Sequence, residues 1–82
     1  MEPLLGQILL LPYTFAPRGW LECNGQLLQI QQFTALFALI GAQFGGDGKT
    51  TFALPKLAPV KADHGASLKY YIAVQGIFPT RD

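Results

Sequence analysis

The chain carries no charged side chain between Glu22 and Asp47. Soluble domains usually spread charged residues over their surface, so an uncharged interval of this length predicts a segment that is largely covered. The interval is nevertheless rich in side-chain amides, which are costly to place in lipid, and we therefore expect no membrane-spanning helix. These amides are Asn24, Gln26, Gln29, Gln31, Gln32 and Gln43.

The composition predicts one small domain that needs support from outside itself. A chain of 82 residues holds a single domain, and its hydrophobic content of 50% with 13% charged residues excludes a disordered chain. One cysteine, Cys23, forms no disulfide within the chain, and together with His64 it falls short of a structural zinc set. We therefore expect self-association or docking onto a larger body.

Charge and the N-terminal sequence narrow the class of protein further. The formal net charge is +1 and the basic residues are scattered, which argues against nucleic acid as a partner. Glu2 stands where a secretory leader carries positive charge, and Pro3 and Gly6 interrupt the apolar stretch that follows. We expect no signal peptide and no membrane insertion.

Local patterns in the first part of the chain predict short strands. Residues 7–11 (QILLL), between Gly6 and Pro12, predict a buried first strand, and residues 12–19 an irregular connection. The dipeptide Asn24-Gly25 lies between WLEC and QLLQ and is typical of a type I′ hairpin turn. We expect a β-hairpin at this place.

The second part of the chain predicts one helix and two further strands. Apolar residues at helical spacing predict a helix over residues 31–40 that Gly41 ends, apolar almost all round and buried on two sides. Residues 45–48 form a loop by composition, 51–54 a strand, 55–68 a linker-like stretch and 69–75 a buried strand. The whole chain, residues 1–82, is thus predicted to be one small α+β domain with several short strands, a hairpin and one buried helix.

The apolar helix and the uncharged interval around it predict a contact surface for a partner. A helix with apolar residues on most of its circumference cannot satisfy them all in a core this small. We expect the following residues to lie in an oligomer or partner interface: Phe33, Leu36, Leu39 and Phe44.

The residues that carry chemistry in proteins do not form a convincing catalytic, cofactor or metal site in this sequence. Gly48-Lys49-Thr50 is similar to the end of a phosphate-binding loop, but residue 43 is Gln and the helix precedes the loop instead of following it. Cys23, Asp63 and His64 have no spacing typical of a nucleophile with its base and acid. We expect no enzyme and no cofactor.

A sugar-stacking platform is a second hypothesis. Aromatic rings beside amide side chains suit carbohydrate recognition, although the same rings more often pack in a core or at a subunit contact. The candidate stacking residues are Trp20, Tyr70 and Tyr71, with Tyr13 as a further ring.

Five segments follow one another along the chain in a familiar order and spacing: FAPRGW (15–20), CNGQLL (23–28), TALFALIG (34–41), FGGDGKTTFALP (44–55) and YYIAVQGIFP (70–79). Together they resemble the phage tail collar domain, a family that includes the collar regions of short tail fibres and the bacterial proteins labelled microcystin-dependent. The resemblance covers nearly the whole chain.

The resemblance implies a non-enzymatic structural module of tail fibres and related appendages, commonly trimeric. It gives scaffold roles in turns and packing to Gly19-Trp20, Asn24-Gly25, residues 45–48 and Leu54-Pro55. In the family, Leu-Pro is usually followed by an acidic residue, Leu, Arg-Gly-Arg and a long glycine-rich insertion that contributes the receptor-binding part of short fibres. Here residues 56–60 (KLAPV) follow instead, so the chain resembles a minimal collar without that insertion.

These observations lead to one functional hypothesis and one alternative. The first is a structural subunit of a phage tail or a phage-tail-like contractile injection particle, acting as a collar, fibre, tip or connector through contacts with itself, as a homotrimer, and with other tail or baseplate proteins. Its location would be the virion tail or an injection particle assembled in the cytoplasm. The alternative is a small carbohydrate-binding module for receptor recognition. Trimeric symmetry would also allow three copies of His64 to meet a metal on the axis.

Overall fold

A computed structural model describes residues 2–80, and in that part of the chain one helix and several antiparallel strands form two sheets. The predicted small α+β architecture is therefore confirmed. In chain order the elements are β1 (Ile8–Leu11), β2 (Trp20–Glu22), β3 (Leu27–Gln29), α1 (Thr34–Ile40), β4 (Thr51–Ala53), β5 (Val60–Lys61) and β6 (Ser67–Ala73).

The C-terminal strand β6 lies at the centre of the larger sheet. β1 pairs with one edge of it and β2 with the other, while β5 pairs with its first residues, all antiparallel. Alternate residues of β6 serve the two edges: Ala73 donates its N–H to Gln7 O at 2.9 Å, and Val74 donates to Gly19 O at 2.8 Å. β3 and β4 form the second sheet by themselves.

A β-bulge at Gly6 fixes where β1 begins. Gly6 donates its N–H to Ala73 O at 2.9 Å while Ala73 donates to Gln7 O, so two residues of one strand face one residue of the other. Gly6 has a φ of 83°, a conformation that costs a residue with a Cβ atom free energy. The preceding turn closes with a 3.0 Å bond from Gln7 N–H to Leu4 O.

The hydrophobic core joins both sheets and the helix. Leu36 is the buried residue of α1, and Phe37 packs its ring edge against Phe52 of β4 with 5.4 Å between ring centroids. Burial of such side chains contributes about 1.5–3 kcal/mol each. The buried residues of this cluster are Leu5, Cys23, Leu36, Phe52, Leu54 and Ile72.

The opposite face of the larger sheet is covered by the connection of residues 12–19. Tyr71 projects to this face, because neighbouring strand residues alternate and Ile72 belongs to the core. The ring is buried, and its hydroxyl donates a 2.7 Å hydrogen bond to Tyr13 O. The connection contains no strand or helix, as predicted, and this bond ties it to the sheet.

The helix is shorter and less buried than predicted. It begins at Thr34 and has seven residues, while residues 30–33 form turns, and Phe33 at the N-cap makes no side-chain capping bond. Gly41 follows the last helical residue as expected and donates its N–H to Phe37 O. The expectation of burial on two sides is wrong for the chain by itself, because Ala35 and Ala38 are exposed and the second sheet covers only the side that carries Leu36.

The first strand has the predicted position but not the predicted burial. Within the described residues β1 pairs with β6 and with no other strand, and its residues Ile8, Leu9 and Leu10 are 40%, 38% and 38% exposed. An apolar run does not distinguish a central strand from an edge strand, because the pattern says nothing about how many neighbours the strand has. In this fold β1 is an edge strand.

The predicted hairpin at Asn24-Gly25 does not form. β2 pairs with β6 and β3 with β4, so the two segments belong to different sheets. A type I′ turn needs positive φ at both central residues, whereas only Gly25 has it, with φ 80°. Asn24 instead forms a bridge with Lys56, and this longer-range pairing overrides the local turn preference.

Three predictions about the C-terminal half have different outcomes. The strand over residues 51–54 is confirmed as β4, which ends one residue earlier, and the strand over 69–75 as β6, which both begins and ends two residues earlier. Residues 55–68 are not a plain linker, because Val60 and Lys61 form β5 and pair with the start of β6. The two-residue strand is too short to leave a periodic signal in the sequence.

The hydroxyl of Tyr71 gives a test of how the 12–19 connection is held. Replacing Tyr71 by Phe removes the bond to Tyr13 O and should lower the free energy of unfolding by about 1 kcal/mol. Urea denaturation monitored by circular dichroism measures this. Tyr70→Phe is the matched control, since the Tyr70 hydroxyl bonds to no described residue, and an equal loss in both variants would contradict the assignment.

Candidate functional site

Groups that carry chemistry in proteins do not come together in the described part of the chain. Cys23 is buried in the core, whereas His64 lies in the exposed turn between β5 and β6, where its Nδ1 accepts the Ala66 N–H at 3.4 Å. Among residues 2–80, no three His, Cys, Asp or Glu side chains are placed to hold a metal ion. A metal bound by several copies of His64 stays a prediction.

The loop that resembles a phosphate-binding loop binds its own carboxylate. Oδ1 of Asp47 accepts the backbone N–H groups of Lys49 and Thr50 at 2.8 Å and of Thr51 at 2.9 Å, and Oδ2 accepts the Thr50 hydroxyl at 2.9 Å. These bonds favour the ionised form and lower the pKa of Asp47 well below its ordinary value. Because Asp47 occupies the amides and repels anions, the loop is a structural turn.

Backbone packing explains why glycine precedes Asp47. A Cβ atom on Gly46 would lie 2.5 Å from the Cα of Phe52 and 2.7 Å from Thr51 O. The loop therefore lies directly on β4, which aligns Phe52 with the core. The segment FGGDGKTT is thus explained by close packing and carboxylate hydrogen bonds.

The surface of the protein is the part that offers contact to a partner. Large apolar residues are exposed in several places. One group of them lies in the segments near the two termini and a second group lies in β1. One is the terminal patch, Leu4, Ile77 and Phe78, in which Leu4 and Ile77 are bridged as parallel neighbours. The other is the β1 edge, Ile8, Leu9 and Leu10.

An exposed aromatic pair follows the β1 edge. The rings of Tyr13 and Phe15 stack with centroids 5.9 Å apart and planes inclined by 13°, and Phe15 is 68% exposed. The sequence did not identify Phe15 or the β1 edge as exposed contact residues. Exposure of an apolar side chain depends on strand neighbours that the sequence does not show. The lack of any charge from residue 3 to residue 17 was the one available signal.

The four predicted interface residues lie in different environments. Leu36 is 1% exposed and belongs to the chain's own core, so it has no surface to offer a partner. Phe33 and Leu39 are half-buried against that core, and Phe44 is 46% exposed. Leu39 also borders an open groove between α1 and the C-terminal segment, lined by Ala38, Leu39, Phe78, Pro79 and Thr80.

The three predicted stacking residues do not share one face. Trp20 pairs with Ala73 and so lies on the same side of the sheet as Tyr71, while Tyr70 lies on the core side and packs against the core cluster. Tyr71 is buried beneath the 12–19 connection. The structure therefore does not assemble Trp20, Tyr70 and Tyr71 into a platform for a sugar ring.

A short hairpin joins the last two strands. β5 and β6 are joined by residues 62–66, and the turn is closed by bonds from Ala62 N–H to Ala66 O at 2.8 Å and from Gly65 N–H to Ala62 O at 2.9 Å. In residues 2–80, no helix has the length and apolarity that crossing a bilayer requires.

Comparison with protein families gives one match. The model of the phage tail collar domain matches residues 6–59, which is more than half of the chain. The matched region begins at the Gly6 bulge and ends immediately before β5. Comparison with curated proteins and with solved structures gives no match.

The carboxylate of Asp47 predicts a pH-dependent stability. Its pKa is lowered on folding, so its contribution is complete above about pH 5, begins to fall near the unfolded-state pKa of about 3.9, and is lost as the pH falls on toward the lowered folded-state pKa. The Asp47→Asn variant should therefore be less stable than wild type at pH 7 and should lose less on acidification. Urea midpoints from pH 7 to pH 2 test this. Asp63→Asn, in the exposed turn, should follow the wild-type curve, and parallel curves for wild type and Asp47→Asn would contradict the prediction.

Cys23 is expected to be chemically inert in the folded protein. The thiol is buried, and burial together with the neighbouring Glu22 carboxylate raises its pKa to about 11, so the thiolate is scarce at pH 7. Labelling with a disulfide reagent such as Ellman's reagent should proceed only as fast as the chain opens and should become rapid in concentrated urea. Immediate stoichiometric labelling of the folded protein would contradict this.

Proposed function

Because the chain belongs to the phage tail collar domain family, we propose that it is a non-enzymatic structural subunit of a phage tail or of a phage-tail-like contractile injection particle. The proposal includes assembly with itself and docking onto other tail or baseplate proteins, with the homotrimer implied by the family resemblance as one arrangement. Its place would be the virion tail or the equivalent part of an injection particle.

The observation that carries this proposal is the amount of apolar surface left uncovered. Among residues 2–80, twelve large hydrophobic residues are exposed, and nine hydrophobic residues are buried even when alanines and cysteine are counted. Isolated surface hydrophobics are ordinary, but clusters such as the terminal patch and the β1 edge are typical of interaction sites.

The overall dimensions support the same conclusion. The accessible surface is 5736 Å², whereas a compact monomer of this mass exposes about 4,900 Å². The radius of gyration is 13.3 Å, and about 11.7 Å is typical for this length. A shape this open leaves apolar residues uncovered that a compact monomer would bury, and these residues are available for contact with neighbouring molecules.

Two surfaces are suited to these contacts. The first is the side of the molecule that carries α1, where Phe33, Leu39 and Phe44 keep part of their apolar surface exposed. The second is the β1 edge. The minimal β5–β6 hairpin, standing in place of a receptor-binding insertion, favours a connector, plug or tip over an adhesive fibre.

The proposal predicts association of the purified protein. At micromolar concentration, sedimentation velocity and light scattering should give a mass that is a multiple of 9.0 kDa and that falls on dilution. Self-association is expected because covering the surplus apolar surface is favourable. A monomeric mass at every concentration up to the solubility limit would overturn the assembly proposal.

A further inference from the structure

The hydrogen-bonding pattern of β6 shows which backbone groups of β1 are unpaired. Ala73 bonds to Gln7 on the β1 side, and Tyr70 O accepts the Cys23 N–H on the β2 side. Because an antiparallel strand directs its N–H and C=O groups to alternate sides, Leu9 and Leu11 face β6, while Ile8 and Leu10 face outward. Apart from the bonds of the β1–β6 ladder itself, no backbone hydrogen bond in residues 2–80 reaches the N–H or C=O groups of Ile8 and Leu10.

Such an edge binds one kind of ligand, an extended polypeptide strand. Two donors and two acceptors in line, 3.2–3.4 Å of rise per residue, are satisfied together only by another β-strand. Natural proteins usually protect such an edge with a charge, a proline or a covering segment. β1 has none of these within Ile8–Leu11, and its exposed side chains are aliphatic on both faces.

The geometry points to a second copy of this chain as the strand that pairs with β1, antiparallel, about a two-fold axis that passes beside Leu9. In this register Ile8 of one copy is opposite Leu10 of the other, and the four outward groups of each copy all find partners. The result is one continuous sheet in which β1 strands join two β2-β6-β1 units. This inference rests on the proposed function, since it names the partner for one of the contact surfaces.

Neighbouring residues exclude the other symmetric registers. Centring the pair on Leu10 would place Ile8 opposite Pro12, which has no N–H to donate. Centring it on Ile8 would place Leu10 opposite Gly6, whose N–H already bonds to Ala73 O. Only the register about Leu9 satisfies every outward group.

Charge and area favour a second copy over a foreign strand. With no charged residue from residue 3 to 17, the edge has no electrostatic feature that would select a different partner, and self-pairing brings no like charges together. The whole molecule, with the β1 edge as one part of it, has roughly 800 Å² more accessible surface than a compact monomer of this mass, about as much as each partner covers in a standard stable interface.

A charge-complementation experiment tests this pairing. Leu9 faces Leu9 of the other copy across the axis, with Cβ atoms about 4.5–5.5 Å apart, so Leu9→Lys or Leu9→Glu alone places like charges opposite each other. Each variant alone should sediment with half the mass of the wild-type species. An equimolar mixture of the two should recover that mass. Leu27→Lys, at an exposed position of β3, is the matched control and should associate as wild type does.

Hydrogen exchange on the wild-type protein gives a second measurement that needs no substitution. In the pair, the amides of Ile8 and Leu10 become protected as concentration rises, while the amide of Leu9, bonded to β6, is protected at all concentrations. Protection of Ile8 and Leu10 together with recovery in the mixture supports the pairing. A Leu9→Lys variant that keeps the full wild-type mass, or Ile8 and Leu10 amides that exchange freely in the oligomer, would overturn the pairing and leave the proposed function intact. A wild-type monomer would overturn both.

Discussion

The backbone pairing of β6 on both of its edges is the constraint on which the rest of the structure depends. β1 pairs with one edge of β6 and β2 with the other, and β5 pairs with the first residues of β6. β6 is the last strand in the chain. Its alternating residues also separate the two faces: Ile72 enters the core while Tyr71 receives the 12–19 connection. Most of these partners are distant from β6 in sequence. Pairing them with β6 therefore costs the entropy of closing long loops, and the contacts within the sheet must offset that cost.

A sheet built around one central strand leaves a free edge unless something covers it. The helix and the second sheet cover the part of the larger sheet near Cys23 and Ile72, whereas Ile8, Leu9 and Leu10 of β1 stay exposed in the part of the chain that the structure describes. The core is small, and the residues that would enlarge it in a bigger domain stay at the surface. The same geometric limit therefore produces the small core and the exposed apolar edge.

The Asp47 loop has the opposite character, since it is stabilised almost entirely by its own residues. Four hydrogen bonds within five residues hold the carboxylate, and the absence of a side chain at Gly46 lets the backbone lie on β4. A loop of this kind is formed by local interactions and positions Phe52 without help from distant segments. Phe52 of β4 and Ile72 of β6 belong to the core cluster against which α1 packs.

The family match covers only part of the fold that the structure shows. The match covers residues 6–59 and so includes the bulge, the helix and the Asp47 loop, but not β6. The strand that organises the larger sheet thus lies beyond the matched residues. The short β5–β6 hairpin brings β6 back to β1 and β2.

The sequence by itself determined the local features: the loop before Thr51, the end of the helix at Gly41, the strands β4 and β6, and the α+β class. Each follows from interactions within a few residues, which composition and spacing record. Tertiary structure alone decided that Asn24 bridges Lys56 instead of turning a hairpin, that β1 lies at an edge, and that Leu36 is inside while Phe44 is outside. These outcomes depend on which distant segment competes for the same backbone groups or apolar surface, and no local pattern contains that information.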